Sequence, residues 1–446
     1  MDACLPGPGR DRLAAGAVLV VTTGQQPGLF TGPLYTIHKG LSTLALARRL
    51  ERERGVPVVP VFWVAGDDHD FAEANHAWFL SAGGEAARIV LRERPADAPQ
   101  LPLAREPCGA EIAAAIEQLR GDTPETEFKV DVFQWLETAY RPEVSLADAF
   151  AEAVNAVLGP RGVAVFRAHH LAAKRAAAPW ILKGLDTTLP DGLTPVLVEA
   201  AAGRDRLRPV DGAFVTRRSG ERYSGADLRE RVAVETPERL SANVLLRPVV
   251  EAALFPTVAY LAGPGELAYL PDAEPLYQAL GVERQTPVAR WSGLLVEGRV
   301  EKLMQKHGLV LADFEGPPGA LEAHLVSESL APEVSTAFTD TRRHIEEDYA
   351  RLAQLVKQTD PTLERTAQSA RNAALGGTHD IEKKLVASLK RGSETLVGQI
   401  ARARAAVFPH GKPQERVLTL ASFLVRHGPE LLDAVEAEVA RWTDAS

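Results

Sequence analysis

Short apolar runs alternate with helical periodicity through the first two thirds of this 446-residue chain. Residues 17–21 form a β-branched run and a Gly-rich turn follows. Leu34, Ile37, Leu41 and Leu44 then recur at spacings of three and four, on one helical face. The pattern predicts strand, loop, helix. Residues 57–65 and 162–166 are further unbroken apolar runs, the mark of strands buried on both faces of a parallel sheet. Residues 243–249 and 256–261 predict a fourth pair of strands, after a polar, Arg-rich stretch at 204–239 that reads as a surface excursion. The expected fold class is α/β: one open sheet over residues 1–296, with insertions near 81–145 and 204–239.

Beyond residue 297 strand signals give way to long helical patterns. Phe338, Ile345 and Leu352 repeat every seven residues, and Leu389, Leu396 and Ala403 do so after a turn marked by Asp360 and Pro361. This spacing predicts an antiparallel helical hairpin or coiled coil over 297–410, with a plain helical bundle as the alternative. Gly376 and Gly377 are expected to break the second helix. Residues 411–446 are expected to form a C-terminal helical segment that packs back on the core.

A hydrophobic share of 46% and a charged share of 24% describe an ordinary globular chain, long enough for more than one core. The net charge of −9 would repel a polyphosphate backbone, so nucleic acid is not an expected partner. No apolar stretch reaches the ~20 residues a bilayer requires, and the first residues lack the apolar core of a signal peptide, which predicts a cytoplasmic protein without membrane contact. The only cysteines, Cys4 and Cys108, encode neither a disulfide framework nor a thiolate metal site. Cys4 is expected in a frayed terminus and Cys108 in a Pro-rich connection, and neither is read as a nucleophile.

Three segments carry candidate chemistry. The first, Thr-Thr-Gly-Gln-Gln-Pro-Gly-Leu-Phe-Thr-Gly-Pro-Leu-Tyr-Thr-Ile-His-Lys at residues 22–39, directly follows the first strand. Gly24, Gly28 and Gly32 let backbone approach a ligand beside Gln25 and Gln26. Pro33 suits the first turn of the next helix, whose free amides favour an anion, and His38 with Lys39 makes the site cationic. Its spacing is neither a dinucleotide fingerprint nor a Walker A loop. The second segment, Trp63-Val-Ala-Gly-Asp67-Asp68-His69-Asp70, closes the second buried strand, where open α/β sheets place ligands. Its carboxylates and imidazole suit orienting an ammonium group or accepting a proton, or serve as a solvated loop with a helix N-cap. Glu73 and His76 show a Glu-x-x-His spacing, but no second copy accompanies it, so no metal ligand is assigned. The third segment holds Asn243 and Arg247, then Tyr260, Gly263, Pro264, Gly265 and Glu266. A guanidinium in an apolar run must find a carboxylate or phosphate, from substrate or from protein. Gly263 to Gly265 read as backbone amides at a helix start, a second cradle for an anion.

Taken together, Thr-Gly-Gln-Gln with His38-Lys39, Asp68-His69-Asp70 after Phe62-Trp63, Asn-Val-Leu-Leu-Arg-Pro with Gly-Pro-Gly-Glu, and Gly-Lys-Pro-Gln-Glu-Arg at 411–416 resemble the bacillithiol cysteine-adding enzyme family. These motifs lie in the family's order and cover nearly the whole chain, which is similar to a short form lacking part of the usual N-terminal region. Asp67 and Ala242 stand where members usually carry Glu and Pro. The resemblance implies a Rossmann-like core with connecting-peptide insertions and a coiled coil that pairs two subunits. It implies a ligase adding cysteine to glucosaminyl-malate through an amide, at the expense of ATP or another nucleotide, with any metal undetermined. By analogy, His38 and Lys39 would stabilise charge on an activated group, Arg247 would hold a carboxylate, and Asp68, His69 and Asp70 would orient amines and supply the base. Two other readings fit the same residues: a nucleotidyl-transferase acting on a sugar or sugar acid, and a non-catalytic dimeric homologue.

Overall fold

The computed structural model describes residues 1–328 and 330–445. Two compact units result, one of Met1–Ala82, Ala86–Leu294 and Gln414–Ser446, the other of Gly83–Glu85 and Leu295–Pro413.

The strands of the first unit run in chain order β1 Leu19–Gln25, β2 Val58–Val64, β3 His76–Leu80, β4 Ala86–Val90, β5 Ala164–Arg167, β6 Val196–Ala200, β7 Gly203–Val210, β8 Ala213–Thr216, β9 Arg222–Ser224, β10 Leu240–Ala242, β11 Thr257–Ala262 and β12 Thr286–Ala289. Its centre is a parallel five-stranded sheet in the order β12-β11-β1-β2-β5. Every residue of β2 is buried, which is why this run shows no alternation in sequence. The chain leaves β1 toward β2 on one side and returns as β11 on the other, so the strand order reverses at β1. Ligands of open α/β sheets bind in the crevice that such a reversal opens at the strands' carboxyl ends. Helix Tyr35–Arg54 covers the sheet with Ile37, Leu41 and Leu44, each worth roughly 1.5–3 kcal/mol of burial.

Three sequence expectations are corrected here. The Arg-rich stretch 204–239 is not a loose excursion: with β6 and β10 it builds a second, antiparallel sheet in the order β10-β6-β7-β8-β9. Its core side carries charge, since Asp205 is buried and accepts from the Arg218 and Ser219 amides, and that hides the strand alternation. Residues 243–249 are not a strand either. The Asn243 side chain accepts from the Leu245 and Leu246 amides at 3.1 and 2.8 Å, and Pro248, lacking an N–H, suits the first turn of helix Arg247–Leu254. Nor is the amino terminus frayed. Leu5 donates to Val165 and Arg167 to Ala3, each at 2.9 Å, so residues 3–5 run along β5 and bury Cys4. Burial pushes the Cys4 thiol up to about 11 and that of Cys108 up to about 12.

The second unit is helical. Pro332–Thr359 and Glu364–Gly392 run antiparallel, joined at Asp360, whose carboxylate accepts from the Thr362 amide at 2.9 Å. Val334, Phe338, Ile381 and Leu385 line one open groove along the hairpin, and Arg342 pairs with Glu382 at 2.6 Å. Gly376 and Gly377 do not interrupt the second helix, which breaks only at Ser393, where the backbone leaves helical geometry. Two glycines cost about 2 kcal/mol, which packing along a helix of this length outweighs. Among the described residues no helix is long and apolar enough to cross a membrane.

Candidate active site

Segments that are far apart in sequence meet at the carboxyl ends of β1, β2, β11 and β12. At the end of β1, Gly24 leaves room for a guanidinium: a methyl group there would lie 3.3 Å from Arg247 Nη1 and 3.5 Å from the Tyr260 hydroxyl. Gly28 and Gly32 serve the loop itself, since a methyl on Gly28 would stand 3.0 Å from Gly32 Cα. The amides of Thr36, Ile37 and His38 bond to the Pro33 and Leu34 carbonyls, so the first helical turn offers no open anion site at these three. Gln25 donates to the Tyr35 hydroxyl at 3.1 Å, and Gln26 is half-buried beside it.

Lys39 is buried and fully engaged. Its ammonium donates to Gly24 O at 2.8 Å and Gln25 Oε1 at 3.1 Å, and pairs with Glu266 Oε2 at 2.5 Å. Burial lowers its pKa and Glu266 opposes the shift. Glu266 is the hub of the cluster, taking hydrogen bonds from the Tyr260 hydroxyl at 2.6 Å and the Gly263 amide at 2.8 Å, with Arg247 Nη2 at 3.4 Å. Burial raises its pKa, but Lys39 and Arg247 more than reverse this and hold the carboxylate ionised. The Gly263, Pro264, Gly265 turn, expected to cradle an anion, is therefore capped by the chain's own Glu266. Arg247 donates to the Tyr260 hydroxyl at 2.8 Å and lies 3.5 Å from Glu251 Oε1, so its partners are protein carboxylates.

His38 belongs to a second buried cluster. Glu415, from the C-terminal segment, accepts from both ends of the Arg290 guanidinium at 2.8 and 2.6 Å and from Ser292 at 2.5 Å, and meets His38 Nδ1 at 2.8 Å. Despite its burial these donors hold the Glu415 carboxyl near 2, while burial lowers the pKa of His38. A neutral imidazole facing a carboxylate must carry its proton on Nδ1, which leaves Nε2 as the acceptor. Trp291 packs against the ring edge-on at 4.8 Å.

On the other side of Arg247 opens a cleft of about 140 Å³, lined among others by Trp63, Asp67, Asp68, Lys174, Arg204 and Asn243. Lys174 is buried, donates to Leu240 O at 2.5 Å and pairs with Asp67 at 2.7 Å. Arg204 donates to Ser241 Oγ at 2.8 Å, Ala242 O at 2.6 Å and His69 Nδ1 at 3.3 Å. The predicted Asp68, His69 and Asp70 therefore have separate fates. Asp70 caps a short helix, accepting from the Glu73 amide at 3.0 Å, and points its charge to solvent. His69 has its Nδ1 lone pair occupied by Arg204, and burial together with that guanidinium lowers its pKa. Asp68 lines the cleft and accepts from the Asp70 amide at 3.0 Å.

Sequence reasoning missed Lys174, Arg204, Glu251 and Arg290. Glu251 carried a signal, being a lone acid four residues after Arg247 on an apolar helix. Lys174 lies in an Ala-rich helix beside Arg175, Arg204 is one of many arginines in its stretch, and Arg290 stands alone after an apolar run, so none is singled out by spacing. Gly66, which starts the acidic loop, packs against His169, itself held 3.0 Å from Asp148. Gly66→Ala would drive a methyl into that imidazole and to 2.9 Å from Ala147 Cβ, so it is expected to cost about 1–3 kcal/mol in urea denaturation.

The fold and these motifs have relatives. Residues 10–190 and 196–290 match the bacillithiol biosynthesis BshC N-terminal Rossmann-like domain, and residues 293–440 match its C-terminal coiled-coil domain. A protein of Symbiobacterium thermophilum named "Putative cysteine ligase BshC" is 32% identical, over 94% of this chain and 82% of its own. Proteins of the same name from Salinibacter ruber and Bacillus mycoides are 31% and 28% identical, over 93% and 95% of this chain and 80% and 83% of theirs. With both domains matched in order and relatives aligned over most of their length, the chain belongs to the BshC family of bacillithiol biosynthesis.

Proposed function

We propose that this protein is a ligase that joins the carboxylate of cysteine to the amine of glucosaminyl-malate, forming an amide in the cleft beside Arg247. The observation that carries this reading is the charge arrangement of the cleft. Asp68 lines it, with Asp67 already neutralised by Lys174, and Arg204 and Arg247 line it as well. Such a lining suits a molecule that carries both an ammonium group and carboxylates, which describes the malyl sugar. Asp68 would orient the ammonium and take its proton as the amine attacks. Arg247 and Arg204 would fix the malyl carboxylates. His69 is read as a positioning residue, because its basic nitrogen is spent on Arg204.

Forming an amide from a free carboxylate needs an activated acyl group, which a nucleoside triphosphate would supply. His38 and Lys39 are both buried and bound to protein carboxylates, so in this arrangement they do not fit a direct phosphate contact; Lys39 is read as a support of the loop at Gly24 and Gln25, and His38 as part of the Glu415 cluster. No step is assigned to the nucleotide. Pairing of two chains is proposed through the hairpin, where Leu352, Leu355, Leu363 and Ile381 are exposed.

The test is to incubate the protein with glucosaminyl-malate, cysteine, ATP and magnesium, with and without ATP, and to look for the cysteinyl conjugate by mass spectrometry. ATP-dependent conjugate is the expected result. Its absence under every condition would refute the ligase reading.

A further inference from the structure

Beneath Arg247 lies a carboxyl group that the proposed reaction does not use. Glu251 has no exposure to solvent, and neither of its oxygens makes a hydrogen bond of ordinary geometry among the described residues. Its nearest charged group is the Arg247 Nε, 3.5 Å from Oε1, and that nitrogen also lacks a hydrogen-bond partner. A buried ion pair normally survives only with its remaining lone pairs satisfied, and here they are not. The groups that face Glu251 are Arg247 on its own helix, Lys39 from helix Tyr35–Arg54, Glu266 and Tyr269 from helix Pro264–Tyr269, Tyr260 from β11 and Tyr277. The Thr22 hydroxyl of β1 stands beside it.

With Glu251 ionised, Lys39 and Arg247 are balanced by Glu266 and Glu251, and the cluster is neutral. With Glu251 protonated it carries one positive charge, which an anion arriving at Arg247 from the cleft would cancel. We infer that Glu251 is a positioning residue that sets the charge Arg247 presents to the cleft, taking one proton from solvent onto its carboxylate when an anionic substrate binds. Burial raises the Glu251 pKa to about 7, with Glu266 adding to the rise and Arg247 and Lys39 opposing it, so both forms are present near neutrality. The anion favours the protonated form. Affinity must therefore be highest below pH 7 and fall as pH rises through that value, by up to about tenfold per unit.

The inference rests on the reading of Arg247 as the anion-holding group. Calorimetric titration of the whole protein with glucosaminyl-malate, in two buffers of different ionisation enthalpy at pH 6.5, 7.5 and 8.5, measures affinity and protons taken up together. The same titration of Glu251→Gln serves as the reference, because the amine of the probe titrates against both proteins. Wild type is expected to take up more of a proton than Glu251→Gln at pH 7.5 and 8.5, and to lose affinity with pH more steeply. Glu251→Asp keeps a titrating carboxyl and should keep the uptake, which a merely structural role would not require. Should Glu251→Gln fail to fold, wild type titrated with N-acetylated glucosaminyl-malate, which has no titrating amine, decides: proton uptake with affinity that falls above pH 7 supports the inference, and binding independent of pH between 6.5 and 8.5 overturns it. Equal proton uptake by wild type and Glu251→Gln also overturns it while leaving the ligase reading intact. No binding by wild type at any pH removes the ligase reading and this inference with it.

Discussion

Arg247→Lys is expected to lower kcat/KM for conjugate formation about 100-fold while the protein stays folded. The guanidinium now reaches the Tyr260 hydroxyl, Glu266 and Glu251 from one rigid plane, at 2.8, 3.4 and 3.5 Å, and still lines the cleft. An ammonium on a shorter stem is a single point charge that can follow the protein carboxylates or the substrate, but not both. One lost charge-assisted hydrogen bond is worth about 1.5–3 kcal/mol, and two decades of rate correspond to about 2.7 kcal/mol. Steady-state rates at saturating ATP, with a melting curve as the control for folding, make the measurement. Activity within threefold of wild type would remove Arg247 from substrate binding.

The largest effect on stability is expected at Glu415. Three side chains aim donors at its two oxygens: both ends of Arg290, Ser292, and His38 through Nδ1. In Glu415→Gln one oxygen becomes an NH2 that faces donors, and Arg290 loses its buried counter-charge. Breaking such a pair from one side costs about 3–5 kcal/mol. The pH dependence has a definite sign. The folded carboxyl lies near 2, below its unfolded value of about 4.3, so its contribution is complete above that value and fades as pH falls toward 2. The stability gap between wild type and Glu415→Gln, read by urea unfolding, should be full at pH 7 and about 1–2 kcal/mol smaller at pH 3. A gap that is absent at pH 7, or that widens in acid, would show that the His38 and Arg290 cluster does not depend on this carboxylate.

Continuous apolar runs made the central sheet legible, because a strand covered on both faces excludes polar residues along its whole length, as β2 does. The second sheet was not legible, because Asp205 inside it and arginines along it obey partners rather than alternation. Asn243 to Val249 misled for a related reason: four apolar residues read as a strand, whereas the Asn243 side chain and Pro248 start a helix. The candidate site divides the same way. Motif residues such as Lys39, Arg247 and Glu266 do converge, but the motif did not say that they would converge on each other. Lys174 and Arg204 had no spacing to reveal them, and Arg204 is 135 residues from the His69 it meets.

The contact between His38 and Glu415 joins residues 377 apart in the chain. Closing so long a loop is an event of high contact order, and it comes last for a chain made from its amino end. A nascent protein can form β1 and the helix that carries His38 early, yet Arg290 has no Glu415 carboxylate beside it until residue 415 has been added. A chain interrupted before that point would lack the carboxylate at which Arg290 and Ser292 aim their donors, and is expected to be less stable than the whole chain. The stability of this end of the sheet is thus expected to be complete only once the last residues of the chain are in place.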